Sequence, residues 1–400
     1  MNVFKKADIL LPDSQDMEKW SVVACDQYTA QPEYWERVKK FVGESPSTLN
    51  IVYPEAFLSE GDGRISEINA KMQEYIDKKI FAKLSQSLIY VERTLNSGKV
   101  RRGVVGVIDL ECYDFSKGSK SEIRATEGTI LERIPPRVKI RENAPLELPH
   151  AILLMNDAED NVIGKIAKEK LIYDFDLMES GGHISGWQIS GDMADAIIDR
   201  INKYSESVSD NLVFAVGDGN HSLATAKTCW ENLKKTLPDA EKETHPARFC
   251  LVEIENIHDE ALEFEPIHRV VFNQNPDAVL AEFKKYYDVS SEYTEGSQEI
   301  TAVYGSVTEE LYIKNPSSKL EVGTLQNFLD EKGYELDYIH GTDVVKSLAN
   351  ADNTIGFILP CPEKSQLFES VIADGALPRK TFSMGEANEK RFYLEAKKIV

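Results

Sequence analysis

Short apolar runs rich in β-branched and aromatic residues alternate along this chain with amphipathic stretches, which predicts mixed α and β structure. The apolar runs predict strands at residues 87–93, 103–110, 151–157, 212–218, 249–256, 300–305 and 354–360. Apolar residues at three- and four-residue spacing predict helices at residues 64–84, 191–205, 222–234 and 276–287. Because the strands are irregularly spaced, the pattern supports neither a strict βαβ alternation nor a repeat array.

The expected fold class is therefore α+β (mixed α/β). A polar stretch with two prolines, residues 235–247, predicts a domain boundary. We expect an N-terminal mixed α/β part over residues 1–240 and a C-terminal α/β part over residues 248–400. The pattern leaves open whether the two parts share one core.

Charge and composition exclude several classes of partner. The 400 residues carry 46 Lys and Arg against 67 Asp and Glu, a net charge of −21, and no basic run forms a stripe for nucleic acid. No apolar window reaches the roughly 18 residues that span a bilayer, and the N-terminal apolar run is too short for a secretory signal. Five cysteines without a Cys-x-x-Cys pair indicate buried thiols in a reducing compartment. We expect a cytoplasmic protein that binds a small molecule, with no nucleic acid or membrane partner; the oligomeric state stays open.

The stretch VFAVGDGNHSLATAKTCW, residues 213–230, sets an apolar run against a helical pattern, with two glycines between them. Gly217 and Gly219 supply the backbone freedom that a sharp exit from a strand needs. A helix N-terminus at such a turn presents unpaired N–H groups and the positive end of the helix dipole, which suits a phosphate. Asp218 is placed to hold a divalent cation or accept a proton, and His221 to act as general acid or base or to bind the phosphate.

A structural interpretation of the same stretch is also open. The glycines would then only make a tight turn, Asp218 would satisfy backbone donors, and His221 would fill a polar gap. Asn220 or Ser222 can cap the helix. The stretch is neither a Walker A loop nor a dinucleotide fingerprint, since it lacks the Gly-Lys-Ser/Thr ending of the first and the three spaced glycines of the second.

Five segments together resemble the prokaryotic domain-of-unknown-function family one-thousand-and-fifteen over nearly the whole chain. They are VFAVGDGNHSLATA, TEGT (126–129, followed by Arg137), GGHISGWQI (181–189), PIHRVV (266–271) and ADGALPRKTFSM (373–384). The first is similar to that family's Asp-Gly-His-His-Arg signature, which in turn resembles a segment of the ParB-like free-serine kinases.

This resemblance implies ParB/sulfiredoxin-like elements in a larger mixed-sheet core. It implies that Asp218, Gly219 and His221 hold nucleotide phosphates and Mg²⁺, with Asp218 as the metal ligand, and that Glu127 is an acid or base for a substrate hydroxyl. The implied cofactors are Mg²⁺ and ATP or ADP. The implied activity is phosphoryl transfer to a small hydroxyl-bearing metabolite, or hydrolysis of a phosphate ester. Further residues assigned to cofactor binding are Gly217, Asn220, Ser222, Arg137, His183, His268 and Arg269.

The chain departs from the family pattern at three positions. Asn220 and Ser222 stand where the signature has His and Arg, and Thr126 replaces the His before Glu127. Loss of the arginine removes a bidentate phosphate contact. The alternative is therefore a non-catalytic nucleotide- or metabolite-binding switch module. A third class is an interaction scaffold that offers its acidic surface to a basic partner.

Other candidates allow both a binding role and a structural one. Asp26 ends an apolar run as Asp218 does, so it could join the site or simply cap a turn. We expect Asp218, His221 and Glu127 to meet in one pocket. We also expect at least two cationic groups to point into that pocket, drawn from Arg137, Arg141, His183, the His268 and Arg269 pair and Lys380.

Overall fold

The computed structural model describes residues 2–13, 15–29 and 31–400, and this part of the chain divides into two compact units. The first unit holds the described residues up to Ala125 together with Thr129–Leu262 and Glu386–Val400. The second unit holds Thr126–Gly128 and Glu263–Gly385. The chain therefore enters the second unit twice and ends in the first.

This division differs from the boundary that the polar stretch 235–247 predicts. The strand after that stretch, Phe249–Asn256, pairs antiparallel with Val100–Asp109 and parallel with Ile152–Met155, all within the first unit. The stretch is polar because it is an exposed connection inside a unit. Its second proline begins the short 3-10 helix Pro246–Arg248.

A large mixed sheet forms the centre of the first unit. In spatial order its strands are Lys170–Leu177, Gly182–Ile189, Phe81–Thr94, Val100–Asp109, Phe249–Asn256, Ile152–Met155, Phe214–Asp218, Ile123–Ala125 and Tyr113–Asp114. Phe4–Lys5 also pairs with Val100–Asp109, and Ala7–Pro12 with Phe81–Thr94.

Helices pack on the apolar side chains of this sheet in two separate clusters. One cluster takes Trp35 of Pro32–Val42 and Met72 of Asp62–Asp77. The other takes Ile197 of Gly191–Ser207 and Trp230 of Asn220–Leu233. Because strand side chains are buried in both clusters, the sequences of these strands are continuous runs of apolar residues. The remaining helices of the unit are Met17–Trp20, Ile134–Arg141 and Asp239–Lys242, and its short strand pairs are Val22–Val23 with Phe392–Tyr393 and Leu146–Glu147 with Lys397–Lys398.

The second unit has an antiparallel sheet of its own. Its strands are, in spatial order, Val289–Ser290, Val307–Ile313, Gln298–Tyr304, Ile355–Ile358, Phe264–Val271 and Leu336–His340, with Phe382–Met384 paired to the start of Phe264–Val271. Its helices are Pro276–Tyr286, Glu321–Lys332, Thr342–Leu348 and Lys364–Asp374. The rings of Phe283, Phe328 and Phe357 pack together in its core.

The predicted mixed α/β class is confirmed, and each predicted strand and helix is present, most of them with shifted ends. The largest error is the helix predicted at 64–84, which ends at Asp77. Lys79 adopts a positive φ of 55°, which breaks the helix, and a strand begins at Phe81. Leu84, which fits the helical spacing, instead pairs with Ile9 in the sheet.

Two expectations from composition can be compared with the structure. No helix in the described ranges is long and apolar enough to cross a membrane. Cys112 and Cys250 are buried as expected, whereas Cys361 is exposed, so the expectation that every thiol lies in the core is wrong.

Candidate functional site

The predicted strand, glycine turn and helix are confirmed as Phe214–Asp218, Gly219 and Asn220–Leu233. Gly219 makes the turn with a φ of +78°, and a Cβ at this position would lie 2.8 Å from the Cα of Ala151. Only glycine fits both conditions. Gly217 lies instead within the strand, at a register shift against the neighbouring strand, which corrects the expectation that both glycines form the turn.

The helix that follows this turn begins without a side-chain cap. Its N-cap is Gly219, so neither Asn220 nor Ser222 acts as the expected cap. The first N–H to bond inside the helix is that of Leu223, to the Gly219 carbonyl at 3.0 Å. Among the described residues, the buried side-chain oxygens of Asn220 (Oδ1) and Thr129 (Oγ1) also lack a hydrogen-bond partner. Such unsatisfied groups mark a place where a ligand or water completes the bonding.

His221 is neutral at physiological pH. Its Nε2 accepts a hydrogen bond from the Ile130 N–H at 3.3 Å, so the proton of the neutral ring is on Nδ1. Burial, followed by the positive charges of Arg137 and Arg133, lowers the pKa of His221 to about 4, against an opposing effect of Asp26. A neutral imidazole can donate a hydrogen bond through Nδ1 but holds no spare proton for general acid catalysis.

Arg137 reaches the surroundings of His221 from the helix Ile134–Arg141. Its guanidinium forms an ion pair with Glu55 and donates to the Arg133 carbonyl at 2.8 Å. Arg141 of the same helix pairs instead with the buried carboxylate of Glu147. Arg137 therefore adds positive charge at His221, whereas Arg141 stabilises a buried acid, and the expectation of at least two such cations in one pocket stays a prediction.

A lysine that the sequence gave no reason to select pairs with Asp218. Lys390 Nζ lies 3.7 Å from Asp218 Oδ2, with the two side chains only 12% and 17% exposed. Lys390 also acts on Asp26: burial alone would raise the pKa of Asp26, but the charge of His150, a hydrogen bond from Gln27 and the charge of Lys390 lower it overall. We therefore count Asp26 with Lys390 and Asp218 as the group around Lys390.

The loop that carries Asp26 is held by a buried polar chain. The His150 Nδ1 lies 3.0 Å from the Tyr393 hydroxyl, which accepts the Cys25 N–H at 3.2 Å. Burial raises the pKa of Cys25 to about 12, so its thiol is inert at neutral pH. Cys25, His150 and Tyr393 therefore position the loop. The sequence gives no pattern that selects Lys390, because this residue lies in a charged C-terminal segment more than 170 residues from Asp218.

The arrangement of possible metal ligands gives little support to the predicted Mg²⁺ site. Over residues 2–13, 15–29 and 31–400, no three His, Cys, Asp or Glu side chains are grouped to hold a metal ion. Asp218 can supply one carboxylate, and Mg²⁺ commonly takes one or two carboxylates with phosphate oxygens and water. The residues therefore fit Mg²⁺ only as a companion of a bound phosphate.

His183 makes contacts that oppose a phosphate-binding role. Its Nδ1 lies 2.7 Å from Asp176 Oδ1 and its Nε2 lies 2.9 Å from Asp174 Oδ1. Hydrogen bonds to Asp176 and Asp174 raise the pKa of His183. Four strands separate its strand, Gly182–Ile189, from Phe214–Asp218 in the sheet order. His183 therefore belongs to an acidic hairpin.

The remaining predicted residues belong to the second unit. Glu127 pairs through its backbone with Leu377, and its Oε1 accepts the Thr381 N–H at 3.4 Å. Lys380 is exposed and has a positive φ of 56°. The prediction that Glu127 shares a pocket with Asp218 and His221 stays a prediction.

His268 and Arg269 are buried in structural roles within the second unit. His268 Nδ1 accepts the Leu359 N–H at 3.1 Å, and burial followed by the charge of Arg269 lowers its pKa to about 4. Arg269 donates to the carbonyls of Lys380 and Arg379 at 3.1 and 3.2 Å. The two side chains thus bind this chain's own backbone, which is the structural alternative that the sequence left open.

Three solved structures are remotely similar to this chain. A free serine kinase in complex with AMP is 12% identical with a TM-score of 0.37, and the match covers 72% of this chain and 92% of that chain. SbnI with a C-terminal truncation, from Staphylococcus aureus, is 11% identical with a TM-score of 0.37, covering 72% and 82%. A conserved hypothetical protein from Pyrococcus furiosus is 14% identical with a TM-score of 0.34, covering 72% and 90%.

At the level of sequence, no curated protein matches this chain. A family model does match residues 8–332, which is most of the chain, and it is described as a protein of unknown function, DUF1015. The resemblance seen in the sequence motifs is therefore confirmed. The chain belongs to the DUF1015 family.

Proposed function

We propose that the first unit binds the phosphate groups of a nucleotide or a related phosphate ester at the N-terminus of the helix Asn220–Leu233. The observation that carries the proposal is the uncapped helix start at Gly219, with Arg133, Arg137 and Lys390 among the groups that surround it. Helix N-termini of this kind bind anions through their free N–H groups.

Electrostatics supports an anionic ligand. The chain carries −21, yet the pKa of His221 is lowered by burial and then by the charges of Arg137 and Arg133, so two positive groups act on this ring. Arg137 and Lys390 are each paired with one carboxylate, so a ligand would share these cations with Glu55 and Asp218. The helix end adds about half a unit of positive charge.

The donors at the turn match the needs of a phosphate. The N–H groups of residues 220–222 precede the first intrahelical bond, and the His221 Nδ1–H and the Thr129 hydroxyl add two side-chain donors. Phosphate oxygens are strong acceptors, and bonds to charged groups are stronger than neutral ones. With Mg²⁺ bound, the cation would neutralise part of the phosphate charge beside Asp218.

For the reaction itself we propose phosphoryl transfer to a small hydroxyl-bearing metabolite, or phosphate-ester hydrolysis, with Glu127 as acid or base. The support for Glu127 is the family resemblance of the TEGT segment. Loss of a general acid or base costs about 10² to 10⁴ in rate. The Glu127→Gln variant should therefore lose turnover by that factor and keep its affinity for ADP.

A binding switch without chemistry is the second candidate. The neutral state of His221 favours it, and so do Asn220 and Ser222 at the positions of the family His and Arg. One experiment separates the two candidates. The protein is incubated with ATP, Mg²⁺ and a pool of hydroxyl-bearing metabolites. An enzyme yields a phosphorylated product, or ADP and phosphate. A switch gives ligand-induced stabilisation and no product.

Isothermal titration of ADP, ATP, CTP and GTP, with and without Mg²⁺, tests the phosphate site. We expect Arg137→Ala to weaken binding roughly 10- to 100-fold, the scale of one hydrogen bond to a charged group. Glu55→Gln is the matched control because it breaks the same ion pair but keeps the cation. It should bind as tightly as the wild type or more tightly.

Two results would count against the phosphate site. Equal loss of affinity in Arg137→Ala and Glu55→Gln would show that the ion pair matters only for folding. Failure of the wild-type protein to bind any of the nucleotides or inorganic pyrophosphate would remove the proposal altogether.

A further inference from the structure

Tyr28, in the loop that carries Asp26, combines a strained backbone with a partly exposed aromatic ring. Its φ is +52°, a region that tyrosine rarely adopts. Its ring stacks on that of Tyr34, with centroids 3.7 Å apart and planes 11° apart. Strained residues of this kind persist only where the surrounding structure imposes them, and they cluster at ligand sites.

The backbone around Tyr28 is fixed on both sides. The Gln27 N–H donates to the Ala24 carbonyl, and the Gln31 N–H donates to the Tyr28 carbonyl, each at 3.1 Å. Asp26, a member of the candidate site, lies two residues away, so its Cα is within about 7 Å of the Tyr28 Cα. The loop therefore ties the Tyr28 backbone to that of Asp26.

A hydrogen bond joins the Tyr28 loop to the C-terminal segment, since the Ala24 N–H donates to the Arg391 carbonyl at 2.9 Å. Burial, followed by the charges of Glu179 and Glu386, raises the pKa of the Tyr28 hydroxyl. Glu386 begins the C-terminal segment that carries Lys390, whose ammonium pairs with Asp218 at the glycine turn. The loop that carries Tyr28 thus lies against the segment that supplies Lys390 to the proposed phosphate site.

We propose that Tyr28 is the platform on which a nucleobase stacks when the phosphates of the same ligand lie at Gly219. The inference rests on the proposed function and deepens it, because it names a nucleotide as the ligand rather than a phosphate ester without a base. Tyr34 covers one face of the ring, and Tyr28 remains partly exposed, so a base can stack on the opposite face. Stacking tolerates any base because each has a π face.

The choice of residue also supports a role for the ring. Glycine or asparagine would adopt this backbone with less strain, so a tyrosine here costs free energy that its side chain must offset. The stack with Tyr34 offsets part of that cost within the protein itself. A second stacking partner on the open face would use the same fixed orientation.

Calorimetric titration of the full chain with ADP and with pyrophosphate tests the inference, because pyrophosphate lacks the base. We expect Tyr28→Gly to weaken ADP binding about 5- to 150-fold, the scale of one base stacked on an aromatic side chain, and to leave pyrophosphate binding unchanged. Glycine tolerates the positive φ, so this variant should fold. Tyr28→Phe keeps the ring and should keep the affinity for ADP.

Tyr293→Ala is the matched control, since Tyr293 is an exposed tyrosine whose ring packs edge-to-face against that of Tyr312 in the second unit. It should change neither affinity. Equal weakening of ADP and pyrophosphate by Tyr28→Gly would overturn the inference, as would ADP binding to the wild type no more tightly than pyrophosphate. In both cases the phosphate site would stand. Absence of binding by either ligand to the wild type would remove both proposals.

Discussion

Gly219 is the residue on which the geometry of the candidate site depends most directly. It turns the chain from strand to helix and leaves the helix start uncapped. The sequence predicted the residues on this turn because Asp218, Gly219 and His221 are neighbours in the chain, where local backbone chemistry decides the structure. It could not predict Lys390, which comes close to Asp218 only through long-range folding.

Replacement of Gly219 by alanine should lower the free energy of unfolding by about 2 to 5 kcal/mol, since it adds left-handed strain and a steric clash. The strain comes from a φ of +78° and the clash from the Cα of Ala151. Gly118→Ala is the control, because Gly118 has a φ of +79° and nothing within 4 Å of the added Cβ. It should cost about 1 to 2 kcal/mol. Equal losses in urea denaturation of both variants would show that the contact with Ala151 is not tight.

At the scale of elements, the segment Glu386–Val400 is the feature that sequence patterns missed. It supplies Lys390 to the site and is anchored in the first unit by Arg391, which bonds Glu253 at 2.7 Å and Glu395 at 2.8 Å. A run with several charges predicts a solvated tail, and only the fold shows that these charges are buried in pairs. The predicted end of the helix Asp62–Asp77 was wrong for a related reason, since the apolar spacing of its sequence continues into the strand that begins at Phe81.

Arg391→Ala should destabilise the protein by about 3 to 5 kcal/mol, because it leaves two buried carboxylates without their cation. Arg37→Ala is the matched control, since Arg37 pairs with Glu179 at 2.7 Å but is 55% exposed. Its loss should cost no more than about 1 kcal/mol. Chemical denaturation followed by circular dichroism measures both, and similar small losses would mean that the C-terminal segment does not anchor the first unit.

At the scale of the whole molecule, a chain with a charge of −21 concentrates several cations around one helix start. Arg133 and Arg137 come from one short region, and Lys390 from the other end of the chain. Net charge and composition cannot show where positive charge gathers. The domain boundary was misplaced for a comparable reason, because polar loops inside a unit and linkers between units have the same composition.

The pKa of His221, measured by NMR in the free protein and with saturating ADP, tests the phosphate site most directly. His221→Gln identifies the signal. We predict a pKa of about 4 in the free protein and a higher value with ADP, because the negative phosphate stabilises the imidazolium. By linkage, ADP should then bind more tightly as the pH falls through the higher pKa. A pKa near 6.5 that ADP does not move would contradict both the burial of the ring beside Arg137 and Arg133 and the binding of phosphate beside it.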